Sequence, residues 1–144
     1  MSGNVNLKRY KLVGLDTNIF VYYFERHPKF GPRTKTVFDL LSQNKLTAVT
    51  SLISLTELLS VPASATKIEG LKNLFLSTPN LNSIELNQII ALGAAKIRRD
   101  YSFRLPDSIQ LATALHTKAQ VFITNDRRLK RFKELSILLL SEIK

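Results

Sequence analysis

Four acidic residues stand where the chain changes structure: Asp16, Glu57, Asp107 and Asp126. Each follows a short apolar run or opens a helical one, so all four are candidates for a common site. Carboxylates gathered within a few ångströms repel one another unless a cation or protons compensate. The chain has no cysteine and only 2 histidines, so the donors of such a site would all be oxygen. Hard divalent cations prefer oxygen ligands, which points to Mg2+ or Mn2+. Each acid also has a local explanation. Asp16 suits the N-cap of the helix that follows. Glu57 follows Ser54 at capping-box spacing. Asp107 is favoured in a first helical turn by the helix dipole, and Asp126 suits a turn after Asn125.

The elements that must position these residues follow from periodicity and punctuation. Lys11 to Leu15 reads as a short buried strand ending at Asp16, and Thr17 to Arg26 as a helix closed by His27-Pro28. Pro32 opens a second helix. Leu46 to Thr50 is a second strand, and a helix over Ser54 to Ser60 carries Glu57 on its first turn. Thr66 and Glu69 have capping-box spacing for a helix running to Leu76. Leu81 to Glu85 reads as a third strand. Helices over Asn87 to Arg99 and Pro106 to Thr117 follow, the second opening on Asp107. Val121 to Thr124 is a strand, Arg127 to Phe132 a short helical turn, and Ile137 to Leu140 a last strand. Strands alternating with helices predict a parallel sheet covered on both faces, a three-layer α/β/α sandwich, in one domain spanning 1–144. The carboxyl ends of its strands share one rim, where sites form. Asp16, Glu57 and Asp126 all follow strands and so converge there, and Asp107 joins them if its helix starts nearby.

Charge points to a polyanionic partner. Lysine and arginine number 21 against 11 acids, a formal net charge of +10, and basic domains of this kind commonly meet nucleic acid. The cations bunch in three groups: Arg26, Lys29, Arg33 and Lys35; Lys96, Arg98, Arg99 and Arg104; and Arg127, Arg128, Lys130, Arg131 and Lys133. Few aromatics sit among them, which favours phosphate contact over base stacking. The chain lacks a run of about 18 apolar residues that could span a membrane. Residues 1–11 are polar, unlike a signal peptide. The expectation is therefore a cytoplasmic protein with no membrane partner.

The run Leu15-Asp16-Thr17-Asn18, the helical Glu57, Leu105-Pro106-Asp107-Ser108 with Ala112 and Ala114, and Thr124-Asn125-Asp126 resemble the four signature segments of PIN domains, in order and spacing. The subgroup it resembles most is the VapC-like toxins of type II toxin–antitoxin pairs. Ser108 stands where many members carry alanine. The resemblance implies a Mg2+- or Mn2+-dependent endoribonuclease, a homodimer, and inhibition by a cognate antitoxin. Asp16 and Asp107 would then hold a metal directly, and Asp126 and Glu57 would complete the site through waters or around a second ion. Hydrolysis would leave 5′-phosphate and 3′-hydroxyl ends. Thr17, Asn18, Thr124 and Asn125 would orient the ligands, with helix and turn capping as their alternative role. Arg127, Arg128 and Arg104 would meet RNA phosphate.

Other readings of the same residues are a non-toxin RNA-processing nuclease and an inert nucleic-acid-binding module of this fold. A receiver-type phosphoacceptor lacks its paired acids near the first strand. Dinucleotide- and P-loop-binding folds lack their glycine motifs in a chain with 5 glycines. His116 and His27 are expected to be structural, His27 through the helix dipole. Convergence of the acids should raise at least one carboxyl pKa, so that Asp107→Asn should stabilise the metal-free protein.

Overall fold

Among the described residues five short strands form one parallel sheet, and all but the half-polar Leu81–Ile84 are mainly apolar or β-branched. They are β1 (Leu12–Leu15), β2 (Thr47–Ser51), β3 (Leu81–Ile84), β4 (Val121–Thr124) and β5 (Ile137–Leu139), in the order β3-β2-β1-β4-β5. The computed structural model describes residues 3 and 5–144, so part of the polar N-terminal stretch lies outside the described residues. The chain winds outward from β1 to β3, then returns to lay β4 on the other side of β1, pairing Leu15 with Ile123. The direction of winding thus reverses between β1 and β4, and the crevice of an open α/β sheet lies at that switch point.

Among the described residues six α-helices cover the sheet: α1 (Thr17–Phe24), α2 (Gly31–Ser42), α3 (Ile53–Leu59), α4 (Ala65–Leu76), α5 (Gln88–Tyr101) and α6 (Leu105–His116). Val13, Leu15, Ala48 and Ile123 pack with α1 to α4 on one face. Val49, Phe122 and Ile137 pack with α5 and α6 on the other. This is the three-layer sandwich, in which β1, β2, β4 and β5 are largely buried on both sides, while the edge strand β3 leaves Asn82 and Ser83 exposed. Phe20 of α1 anchors the first layer, with ring centroids 5.7 Å from Phe38 and 5.1 Å from Phe75. Gly14 sets the second: a Cβ there would lie 2.9 Å from Phe122 Cδ1 and 3.1 Å from the Ala114 methyl. Only glycine lets α6 lie this close to β1, and α6 carries Asp107.

Several boundaries differ from the sequence-based expectation, for identifiable reasons. The helix carrying Glu57 begins at Ile53, whose N–H is taken by Ser51 Oγ at 3.1 Å, so Glu57 lies on the second turn. Ser54 is not its cap; it is fully buried and bonded elsewhere. The cap of α4 is Ser64, which accepts from Lys67 N at 3.1 Å, and Glu69 instead pairs with Lys72. His27 Nδ1 accepts from the N–H groups of both Lys29 and Phe30 at 3.1 Å, so it shapes the turn into α2.

Candidate active site

Asp16 ends β1 and caps α1, and it is only 6% exposed. Its Oδ1 accepts from Thr17 N at 2.8 Å and its Oδ2 from Thr124 Oγ1 at 2.7 Å. The capping role and a site role therefore coexist, since each carboxylate oxygen keeps a second lone pair. Burial pushes the Asp16 carboxyl from 3.8 up to about 6, against the Thr124 hydrogen bond, and the charges of Asp107 and Glu57 push in the same direction. Both neighbours therefore lie within its field.

Thr124 closes the switch point. Its hydroxyl donates to Asp16 and accepts from Asp126 N at 3.0 Å, tying the ends of β1 and β4 together. Asp126 caps the 3-10 turn Arg127–Arg131 through Arg128 N. Its carboxylate also receives Arg128 Nε at 3.0 Å, and that guanidinium holds Asp126 below the usual carboxylate range. Asp107, 4% exposed on the first turn of α6, is gripped by the Arg104 fork at 3.0 and 3.2 Å. Arg128 Nη2 reaches the same carboxylate at 3.7 Å.

Glu57 is held from the opposite side. Thr17 Oγ1 donates to its Oε1 at 2.6 Å. Behind Thr17 lies a buried polar network that sequence reasoning missed. Gln110 Oε1 accepts from Ser51 N at 3.0 Å, and its Nε2 donates to Ser54 Oγ at 2.7 Å. Ser54 Oγ lies 2.7 Å from Thr50 Oγ1 and 3.1 Å from Thr17 Oγ1. Gln110 sits one helical turn beyond Asp107, a buried amide beside the buried Leu111 and Ala114 on the same helix face. A polar residue at i+3 from an acid on a buried helix face was the available signal.

The structure thus brings Asp16 into the field of Glu57 and Asp107, and joins Asp107 and Asp126 through Arg128. Among the described residues, no three acidic or histidine side chains close into a finished metal cage. Arg104 and Arg128 balance the outer pair of acids instead, which is their observed place. Arg127 lines a neighbouring cleft. Asn125 donates to Tyr22 Oη at 3.1 Å and holds no carboxylate. Asn18 Oδ1 is buried and makes no hydrogen bond.

The donor set nonetheless fits a hard divalent cation. Every donor is oxygen, the innermost carboxylate is one whose charge burial disfavours, and an orphaned amide oxygen lies two residues beyond it on the first turn of α1. A larger cavity of about 610 Å³ lies between Tyr23, His27, Pro32 and Leu74, lined by no carboxylate.

A search of curated proteins gave no match. Among solved structures, VapBC2 from Rickettsia felis, bound to a DNA fragment from its promoter, is similar at TM-score 0.72 and 24% identity, covering 89% of this chain and 98% of that one. A toxin–antitoxin complex from Klebsiella pneumoniae is similar at 0.67 and 26%, covering 91% and 99%. VapBC-1 from nontypeable Haemophilus influenzae is similar at 0.67 and 22%, covering 91% and 99%. The family model for the PIN domain matches residues 13–135, from β1 through the segment after β4, a span that contains all four acids. With the carboxylates at the switch point of a fold shared with these proteins, the chain belongs to the PIN-domain family.

Proposed function

We propose that the chain, as one nuclease domain over 1–144, is a Mg2+- or Mn2+-dependent endoribonuclease and the toxin of a toxin–antitoxin pair. In this reading it works as a homodimer in the cytoplasm and is inhibited by a cognate antitoxin protein. The observation that carries it is the meeting of Asp16 and Asp126 at the β1–β4 switch point, with Glu57 and Asp107 turned toward the same rim. Similarity of fold to toxin–antitoxin complexes supports the biological role. No helix among the described residues is long and apolar enough to cross a membrane.

Asp16 and Asp107 would hold the ion, with Asp126 and Glu57 completing the site. Such an ion would supply Lewis acidity and lower the pKa of a water near the scissile phosphate. The protein supplies the positioning. Thr17 N and Thr124 Oγ1 fix both oxygens of Asp16, and Thr17 Oγ1 aims Glu57. The Gln110 network locks Thr17 in turn through Ser54. Arg104 pairs with Asp107, Arg128 holds Asp126 below the usual carboxylate range, and both present cations to the phosphate. Their side chains are 61% and 60% exposed, so they can turn outward as RNA arrives. The Thr124 hydroxyl and Arg128 carry the electrostatic contact between the two halves of the site.

The test is cleavage of single-stranded RNA by metal-stripped protein, with Mn2+ or Mg2+ added back. Cleavage that stops in excess chelator and returns with the ion supports the reading. Undiminished cleavage in chelator overturns it.

A further inference from the structure

Two of the three basic groups, far apart in sequence, meet beside the acids. Lys29 and Phe30 come from the turn between α1 and α2, and Arg33 from the first turn of α2. Asn125 and Arg127 flank Asp126 after β4. Together they line a cleft of about 470 Å³. The cleft lies next to the acid site along the chain, since Asp126 stands between its lining residues Asn125 and Arg127. Among the described residues, Lys29, Arg33 and Arg127 make no ion pair with a carboxylate. Glu142, which feels the charge of Arg127, is paired with Lys130 at 2.8 Å.

The cations differ in how they are held. Arg33 Nη1 donates to the carbonyls of Ser141 and Ile143, which fixes the plane of its guanidinium and leaves its other N–H groups for a ligand. Lys29 Nζ lies 5.2 Å from the centre of the Phe30 ring. Phe30 is half-buried and packs on Tyr22 and His27, each with ring centroids 4.9 Å away. Asn125 ties Tyr22 to the end of β4. A rigid aromatic face thus stands among cations, the arrangement that takes a base on its ring and phosphates on its rim. The volume lies in the range of sites for one small ligand, about 300–1,000 Å³, which suits a nucleotide unit of a single strand.

We infer that this cleft binds the RNA strand next to the scissile phosphate, with Lys29, Arg33 and Arg127 on its backbone and Phe30 beneath a base. The choice of RNA rests on the nuclease reading above; the cleft as a polyanion site stands on its own geometry. It gives the first basic group of the sequence a role in the substrate path, alongside Arg127.

The experiment measures binding of a fluorescent single-stranded RNA 12-mer, about that length, in chelator, against salt concentration, for wild type, Lys29→Ala and Lys29→Ala/Arg127→Ala. Both side chains are exposed, so both variants should fold. Each phosphate contact on a single strand contributes about 0.7 to the slope of log affinity against log salt. The double variant should therefore lose about 1.4 from the slope, roughly 25-fold in affinity at 0.1 M salt by the same relation. Mn2+ affinity, read by calorimetry, should stay unchanged. An unchanged slope, or no RNA binding by wild type, overturns the cleft. So does loss of binding to an acidic protein segment without loss of RNA binding, which would make it a protein-docking site. If wild type binds with the expected slope but does not cleave with Mn2+, the cleft stands and the nuclease reading falls.

Discussion

Asp16→Asn should stabilise the metal-free protein while destroying its metal site. The Asp16 carboxyl is raised from 3.8 to about 6 by burial and by its acidic neighbours. At 1.36 kcal/mol per pH unit, holding it ionised in the fold costs about 3 kcal/mol. Asparagine keeps the acceptor for Thr17 N but turns an amide N–H toward Thr124 Oγ1, whose hydroxyl must reverse, a loss of about 1 kcal/mol. The net expectation is about 2 kcal/mol of stabilisation at neutral pH, roughly 4–8 °C in Tm for a chain of this size. The sign fixes the pH window. A folded pKa above the unfolded one means the folded state binds more protons between them, so the penalty is absent below about pH 4 and complete above about pH 6. Urea unfolding in chelator from pH 4 to 8 reads this directly. The gap between variant and wild type should open across that window, and Mn2+ should stabilise wild type alone. A variant less stable than wild type at pH 8, or a gap independent of pH, would refute the reasoning.

Asp107→Asn should behave oppositely, lowering apo stability by up to about 1 kcal/mol, because it removes the carboxylate that the Arg104 fork and Arg128 share; a rise in Tm in chelator would return the repulsion to Asp107. Gln110→Ala strands the buried Ser51 N–H and should cost about 1–3 kcal/mol, and it should also weaken Mn2+ binding by loosening Thr17 and Glu57, so denaturation and calorimetry together check it. Gly14→Ala drives a methyl against Phe122 and Ala114 and should cost about 1–3 kcal/mol; a variant as stable as wild type would mean that α6 shifts freely on the sheet.

The sheet was legible because its strands are short apolar runs between helical periods. Val121–Thr124 matches its expected bounds, and β1 ends one residue before Asp16 as read. The rim placement of Asp16 and Asp126 follows from strand ends alone. Partner choice was not legible. Whether a carboxylate faces another acid or an arginine depends on which rotamers meet across the rim, and Arg104 reaches Asp107 within one turn while Arg128 bridges two elements. Asp107 is thus paired with Arg104 and Arg128, while the expected repulsion shows at the buried Asp16, whose carboxyl the charges of Asp107 and Glu57 help to raise. Gln110 escaped notice because a single amide in an apolar helix looks like a surface position until the facing strand is known. Ser54 and Thr66 looked like caps because spacing alone cannot separate a cap from a residue inside the first turn; Ser64 caps α4, while the N-cap of α3 is Leu52 and Ser51 Oγ takes only the Ile53 N–H.

The central claim is that Asp16, Glu57, Asp107 and Asp126 form one divalent-cation site that cleaves RNA. Mn2+ binding followed by electron paramagnetic resonance, on metal-stripped wild type and on Asp16→Asn, Glu57→Gln, Asp107→Asn and Asp126→Asn, tests it most directly. Wild type should bind Mn2+ saturably, affinity should fall at least tenfold in Asp16→Asn and Asp107→Asn, about 1.4 kcal/mol or more, and less in the other two, with RNA cleavage falling in the same order. Wild-type binding that all four variants retain undiminished would contradict it.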